Sequence, residues 1–144
     1  MPVAVHILMR RDGRLLLLRR FQTGYEDGRY SVPAGHLDGG ETVIDAAVRE
    51  AREECGIALV DPVVTGVMHR RAADGERIDF FVTPRTWRGE VRNAEPDKCD
   101  DLRFFPHDRL PANMVPYVRA AVDASSTAGR APWVLMYGWP DGRP

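Results

Sequence analysis

The chain has 144 residues, 44% of them hydrophobic and 28% charged, which is enough for one domain with a real core. Its formal net charge of −1 gives no reason to expect a nucleic-acid polymer as partner. Two cysteines are too few for a disulfide framework and indicate a reduced, cytoplasmic protein. No apolar run approaches the length of a membrane span, so we expect no membrane association.

Two strands joined by a turn are predicted at the start of the chain. Residues 3–9 and 15–19 are rich in apolar and β-branched side chains, and Asp12-Gly13 between them is a turn signal. Together they predict a hairpin.

The next stretch, residues 21–30, breaks this pattern and predicts a loop. It carries two glycines among mixed charges. Loops of this kind often carry ligand specificity. The candidate substrate-binding residues are Phe21, Tyr25 and Arg29, and an ordinary connecting loop is the alternative.

A helix over residues 42–55 carries the most informative side chains. Glu50, Glu53 and Glu54 stand at i, i+3 and i+4, so they project from one face within a single turn. Like charges at this spacing cost a few tenths of a kcal/mol per pair, which indicates a compensating cation. Carboxylate oxygens suit Mg²⁺ or Mn²⁺. A solvated acidic face laced with arginines is the alternative.

The limits and the buried face of this helix are also predicted. Thr42 with Asp45 three residues later resembles a capping box at the start, and Gly56 fits a left-handed stop at the end. An apolar stripe at helical spacing should pack on a sheet: Ile44, Ala47, Val48, Ala51 and Cys55.

The stretch around this helix reads GHLDGGETVIDAAVREAREECGI and resembles the Nudix box, the signature of the Nudix (MutT-type) hydrolases, G-x5-E-x7-R-E-U-x-E-E-x-G-U with U a bulky aliphatic residue. Ala51 is smaller than the family's usual residue. A chance match to seven specified residues is roughly one in a million. The fixed letters are Gly35, Glu41, Arg49, Glu50, Glu53, Glu54 and Gly56.

The resemblance implies an α/β/α sandwich with a mixed sheet and a loop-helix-loop catalytic unit. It also implies Mg²⁺ or Mn²⁺ as cofactor, with Gly35 and the three helix glutamates as metal-site residues, Glu53 and Glu54 among them catalytic. Arg49 is expected to orient a box glutamate by charge-assisted hydrogen bonds.

The general base varies within the family, being either a box glutamate or a glutamate from a later loop. Glu95, in the polar loop predicted over residues 85–100, is the candidate for the second source. A solvated loop acid beside Pro96 is the alternative.

The rest of the chain predicts further strands over residues 59–69, 78–83 and 102–105 and a second helix over residues 113–124. This order of elements favours a mixed sheet between helices. The Nudix domain is therefore expected to span residues 1–124.

Residues 125–144 are predicted to form a C-terminal tail. Residues 125–131 have the composition of a linker, and residues 133–139 are aromatic enough to pack on the domain or on a partner. A homodimer contact is one of these interpretations.

The substrate is expected to be a small-molecule nucleotide. The compact length resembles that of nucleoside triphosphate pyrophosphohydrolases, which release a monophosphate and pyrophosphate. The alternatives are an ADP-ribose or nucleotide-sugar pyrophosphatase and a non-hydrolytic nucleotide-sensing module. An isomerase of isoprenyl diphosphate is disfavoured by the intact box.

Two further sets of polar residues have both a functional and a structural interpretation. Asp101, beside Asp100, is a candidate for reading a base, with a turn pair as the alternative. His6, His69 and His107 show no metal-ligand spacing and are interpreted as sheet or loop residues.

Overall fold

The computed structural model describes residues 2–127, 129 and 132–140. In chain order its elements are β1 (Val3–Ile7), β2 (Arg10–Arg11), β3 (Arg14–Arg20), β4 (Tyr30–Ser31), β5 (Ala34–His36), α1 (Val43–Cys55), β6 (Ala58–Val60), β7 (Val63–Ala72), β8 (Gly75–Thr83), β9 (Thr86–Arg88), β10 (Cys99–Pro106), a 3₁₀ turn (His107–Arg109), α2 (Pro116–Thr127) and β11 (Trp133–Tyr137).

The main sheet is mixed and has the strand order β11-β7-β8-β1-β5. The β1–β8 and β11–β7 pairs are parallel, whereas β7–β8 and β1–β5 are antiparallel. A smaller sheet has the order β10-β3-β2 with β4 on β3, and β6 pairs with β9. This architecture confirms the predicted α/β sandwich with a mixed sheet.

The alternation of side chains in β1 and just beyond its end shows how the sheet separates two cores. Val5 and Ile7 point into a cluster packed against α1, whereas Leu8 belongs to a cluster packed against α2. Each helix therefore covers one face of the sheet, and residues on α1 have a fixed position relative to β1 and β5.

Helix α1 begins and ends as the sequence predicts. The Thr42 side chain accepts from the Asp45 amide while Asp45 accepts from the Thr42 amide, and Gly56 closes the helix at φ 68°. Three predicted core positions, Ala47, Ala51 and Cys55, are fully buried. The fourth fully buried position is Ala46 rather than Val48, because the sheet meets the helix slightly to one side of the predicted stripe.

The hairpin predicted from residues 3–9 and 15–19 is wrong. The chain does turn at Asp12-Gly13, both at positive φ, but this turn joins β3 to the short strand β2. The first strand, β1, instead lies in the main sheet between β8 and β5. The chain crosses from one sheet to the other between β1 and β2, which apolar patterning does not reveal.

Two other element predictions need correction. The strand predicted over residues 59–69 is split into β6 and β7 at Asp61, which has φ 49° and precedes a proline. The loop predicted over residues 85–100 contains β9, which pairs with β6. Helix α2 begins at Pro116, since proline suits the first turn, and continues to Thr127.

The C-terminal residues extend the main sheet. β11 pairs with β7 in parallel, and the Trp133 indole lies against Gly66 so closely that a β-carbon there would overlap it. Residues 128, 130, 131 and 141–144 of the predicted linker and tail lie outside the described residues. Neither helix in the described part of the chain has the length and apolarity needed to cross a membrane.

Candidate active site

A cavity of about 700 Å³ opens between the main sheet, β3 and the carboxylate face of α1. Small-molecule sites usually have volumes of roughly 300–1,000 Å³. The cavity is lined by acidic, basic and aromatic side chains together: Glu50, Glu53, Glu54, Glu95, Arg20, Arg70, Arg77, Lys98, Tyr25, Tyr117 and His6.

The Glu50 carboxylate rests directly on the backbone of Gly35. A β-carbon built on Gly35 would overlap both carboxylate oxygens of Glu50. Gly35 lies in β5, opposite Val5 of β1, so the main sheet fixes the surface on which Glu50 rests. The first glycine of the Nudix box is therefore explained by space for a glutamate, and both residues line the cavity.

Arg49 connects three glutamates of the box. Its guanidinium donates to both Glu41 oxygens at 2.7 and 3.1 Å, to Glu50 Oε1 at 2.8 Å and to Glu53 Oε2 at 3.3 Å. It also donates to the His36 carbonyl at 3.2 Å. The geometry matches the predicted charge-assisted hydrogen bonds, since a planar fork can hold several carboxylates at once.

Glu54 points inward between α1 and β5. Its Oε2 accepts the Ala34 amide at 3.0 Å. Burial raises the pKa of Glu54 well above the ordinary value, and the charges of Glu50 and Glu95 raise it further. Burial also raises the pKa of Glu50, against the opposing effect of Arg49.

The loop carrying Glu95 is tied to the end of α1. The Ala94 amide donates to the Glu54 carbonyl at 3.1 Å, and the Arg92 amide donates to the Cys55 carbonyl at 3.0 Å. Glu95 lines the cavity and lies within electrostatic range of Glu54 and Glu50. The structure therefore brings the predicted loop glutamate to the same wall as the box glutamates.

The carboxylate oxygens of the helix glutamates are the type of ligand that a hard divalent cation prefers. Glu50, Glu53 and Glu54 are oxygen donors on one wall, and their mutual repulsion, which burial strengthens, would be relieved by a positive charge. Across the described residues, no three His, Cys, Asp or Glu side chains already converge on one point. Arg49 meanwhile holds Glu50 and Glu53.

The four predicted substrate residues do not lie together. Tyr25 lines the cavity, whereas Phe21, Arg29 and Asp101 do not. Arg29 pairs with Glu26 at 3.0 Å. The Asp101 carboxylate accepts from the Tyr30 hydroxyl and from Arg103.

Arg20, at the end of β3, was missed by the sequence reasoning. It donates to the Tyr25 carbonyl at 2.6 Å and to Thr23 Oγ1 at 3.0 Å, and within the described part of the chain it makes no direct ion pair with a carboxylate. Its charge lowers the pKa of both Glu54 and Tyr117, so it lies within electrostatic range of both ends of the cavity. A basic residue at the end of a strand leading into a glycine-containing loop was the available signal.

A buried polar group at the floor of the cavity was also missed. Arg70 of β7 pairs with Asp79 of β8 at 2.8 Å, and its guanidinium lies 3.7 Å from the centre of the Tyr117 ring. His6 Nε2 lies 3.0 Å from the Tyr117 hydroxyl. Burial lowers the pKa of His6 to about 4. His6 is a sheet residue, as predicted, but it also lines the cavity.

The fold and the sequence of α1 define a Nudix-type α/β sandwich. A family model described as NUDIX domain matches residues 1–124. The chain therefore belongs to the NUDIX domain family, and Nudix hydrolases generally use divalent metal ions.

Individual relatives agree with this assignment. The crystal structure of a MutT NUDIX hydrolase from Burkholderia pseudomallei superposes with a TM-score of 0.79 and 31% identity, covering 85% of this chain and 95% of that one. An ADP-ribose pyrophosphatase from Methanocaldococcus jannaschii is 30% identical over 111 residues, which are 76% of this chain and 64% of that protein.

A third relative is a longer protein than this chain. The NAD-capped RNA hydrolase NudC from Stutzerimonas stutzeri is 29% identical over 106 residues, which are 74% of this chain and 37% of that protein. The match to this chain thus spans less than two thirds of the length of either curated relative.

Proposed function

We propose that this chain is a nucleotide pyrophosphohydrolase that uses Mg²⁺ or Mn²⁺. Its substrate would be a nucleoside triphosphate, cleaved to the monophosphate and pyrophosphate. The observation that carries this proposal is that Glu50, Glu53, Glu54 and Glu95 all line one nucleotide-sized cavity.

Different side chains of the site would have different roles in phosphoanhydride hydrolysis. Glu50, Glu53 and Glu54 would hold the metal, and Gly35 provides the space in which Glu50 is placed. A divalent ion bound there supplies positive charge for the oxygens of the diphosphate. Arg49 holds Glu50 and Glu53 in position from behind.

Two residues outside the box complete the proposed site. Arg20 makes no direct ion pair with a carboxylate among the described residues, so its charge is available to bind a phosphate oxygen. Glu95 accepts the proton of the attacking water, because it faces the cavity from a loop fixed to the end of α1. Glu53 and Glu54 are the alternative bases.

Two alternatives remain for the substrate. The ADP-ribose pyrophosphatase of M. jannaschii favours ADP-ribose or a nucleotide sugar, and the name of NudC adds NAD-capped RNA. A non-hydrolytic nucleotide sensor is disfavoured because the box glutamates are all present.

A phosphate-release assay tests the proposal, with inorganic pyrophosphatase to split pyrophosphate from triphosphates and, in separate reactions, alkaline phosphatase to release phosphate from the monophosphate products of ADP-ribose and nucleotide sugars. The panel contains nucleoside triphosphates, oxidised purine nucleotides, ADP-ribose and nucleotide sugars, each with Mg²⁺ and with Mn²⁺. Turnover of triphosphates to pyrophosphate is the expected result. Turnover of ADP-ribose alone would show that ADP-ribose, and not a nucleoside triphosphate, is the substrate. Turnover of no member of the panel would overturn the proposal that the protein is an enzyme.

We also propose that the protein is a cytoplasmic homodimer. β11 is an edge strand of the main sheet, and it exposes Val134 and Met136. Light scattering coupled to size exclusion would give twice the chain mass of 16.2 kDa. A mass of one chain would contradict the dimer.

A further inference from the structure

The Arg70–Asp79 pair lies where an apolar pair would be expected. Residues of β7 and β8 alternate between the two cores, and Met68 and Phe81 on the same faces are fully buried. Asp79 is 0% exposed and Arg70 is 8% exposed. Because an apolar pair of similar volume is often as stable as a buried ion pair or more so, stability alone does not explain these residues.

Arg70 has more donors than the protein uses. A guanidinium carries five N–H groups. Nε and Nη2 donate to the two Asp79 oxygens at 2.8 and 3.3 Å. Nothing else in the described residues accepts a hydrogen bond from Arg70. The remaining N–H groups belong to a side chain that lines the cavity, so a ligand that displaces water from this floor has to provide acceptors.

The charges of the cavity distinguish Arg70 from Arg20. Asp79 already balances the charge of Arg70, and a phosphate there would be repelled by the Asp79 carboxylate. Arg20 makes no direct ion pair with a carboxylate in the described residues, although its charge acts on Asp27 and Glu54, so phosphate oxygens favour Arg20 over Arg70. The remaining N–H groups of Arg70 are therefore expected to bind an uncharged hydrogen-bond acceptor of the ligand.

The surroundings of Arg70 are those of an aromatic ring site. The Tyr117 ring covers the guanidinium at 3.7 Å, and Tyr25 also faces the cavity. The Tyr117 hydroxyl is engaged by His6. An amino group on a bound base would place donor against donor at Arg70, whereas a keto oxygen would accept from it.

We propose that Arg70 selects nucleobases that carry a keto oxygen over those that carry an amino group at the same ring position. The inference rests on the proposed nucleotide hydrolysis and adds the substrate class to it. Arg70 acts as a specificity-determining residue, with Asp79 and Tyr117 holding its guanidinium plane.

Two pairs of substrates exchange the keto and amino groups at one ring position, together with the hydrogen on the adjacent ring nitrogen. Inosine and adenosine triphosphates differ at the 6-keto or 6-amino group, and uridine and cytidine triphosphates differ in the same way at position 4. One of the two classes, purine or pyrimidine nucleotides, will be turned over faster. Within that class we expect kcat/KM to favour the keto nucleotide by about 10- to 100-fold. A ratio near one, or a preference for the amino nucleotide, would overturn the inference while leaving hydrolysis established.

Two variants at the floor test the role of Arg70. The double variant Arg70→Met/Asp79→Leu removes the pair without leaving a buried charge, and Arg70→Lys keeps the charge but loses the fork. Both should reduce the keto-to-amino ratio to within about threefold of one. Arg70→Lys keeps the test valid if the double variant does not fold.

The matched control is the second Arg–Asp pair at the cavity. Arg77 lines the cavity and bonds Asp74 at 2.6 Å, with Asp74 70% exposed. Arg77→Met/Asp74→Leu should keep the wild-type ratio. An unchanged ratio in the Arg70 variants, or an equal loss in the control, would contradict the assignment to Arg70.

A binding measurement separates this inference from the proposed reaction. Titration calorimetry with inosine and adenosine monophosphates requires no turnover. Tighter binding of the inosine nucleotide that disappears in Arg70→Lys, with no hydrolysis of any nucleotide, would support the inference and overturn the proposed function. Equal binding of the two monophosphates with active hydrolysis would do the reverse.

Discussion

Gly35 and Glu50 lie so close together that the glycine has no room for a side chain, since a β-carbon on Gly35 would overlap the Glu50 carboxylate. Gly35→Ala therefore has to displace Glu50 from Arg49. We expect kcat to fall at least about 10²-fold, with the circular dichroism spectrum unchanged. Gly39→Ala is the control, because nothing lies within 4 Å of a β-carbon there. Equal activities of the two variants would show that the position of Glu50 is not needed.

Glu53→Gln removes one charge from the proposed metal wall and leaves its shape intact. We expect a loss of at least about 10² in kcat, comparable to the loss of other electrostatic stabilisation, and weaker Mn²⁺ binding by calorimetry. Glu90→Gln, at an exposed site away from the cavity, should retain both. Full activity of Glu53→Gln would place the metal elsewhere.

Glu95→Gln tests the proposed base separately from the metal. Turnover should fall by about 10²–10⁴, the usual contribution of general acid–base catalysis, and the acidic limb of the pH–rate profile should change. Binding of Mn²⁺ should remain. An unchanged rate and pH profile would reduce Glu95 to a loop acid and leave a box glutamate as the base.

His6 predicts a pH dependence of stability. Because burial lowers its pKa from 6.5 to about 4, the unfolded chain binds a proton in this window that the folded protein does not. Stability should fall as the pH falls from about 6.5 to about 4, by at most roughly 3 kcal/mol. The raised pKa of Glu54 acts in the opposite direction, since it adds a proton to the folded protein.

The contribution of His6 is isolated by comparison with His6→Gln. Urea unfolding of both proteins across this pH window gives the difference between their slopes. The wild type should lose more stability than the variant on acidification. Parallel curves would mean that His6 titrates alike in the folded and unfolded chains.

Gly66→Ala tests whether β11 belongs to the domain. A β-carbon on Gly66 would overlap the Trp133 indole. Overpacking of this kind usually costs about 1–3 kcal/mol, which urea unfolding would detect. The Gly39→Ala protein again serves as the control. Unchanged stability would show that the C-terminal strand is a separable tail.

The features that the sequence predicted correctly are those determined by interactions between residues close together in the chain. Thr42, Asp45 and Gly56 act through hydrogen bonds and dihedral angles within a few residues, so the limits of α1 were accessible. The pairing of β1 with β8 is not, because it joins residues about 75 positions apart in sequence, such as Val3 and Ile78.

The same distinction holds for the cavity. The box glutamates were found by their spacing on one helix, whereas Arg70, Asp79 and Tyr117 meet only through pairing of β7 with β8 and packing of α2. One signal was present in the sequence. Arg70 and Asp79 share the alternation of Met68 and Phe81, so a period of two places charged residues on a core face.

The backbone hydrogen bonds from Ala94 and Arg92 to the end of α1 join the loop of Glu95 to the helix that carries the box glutamates. The opposite wall, around residues 21–29, is attached mainly near its ends, where the Phe21 amide donates to the Lys98 carbonyl at 3.0 Å and the Asn113 side chain donates to the Gly28 carbonyl at 3.0 Å. The proposed active site thus has one wall in which the Glu95 loop is tied to α1, and an opposite wall formed by a loop held near its ends. Grafting residues 21–29 between relatives should therefore change which nucleotide is preferred. Hydrolysis of the phosphoanhydride should be preserved.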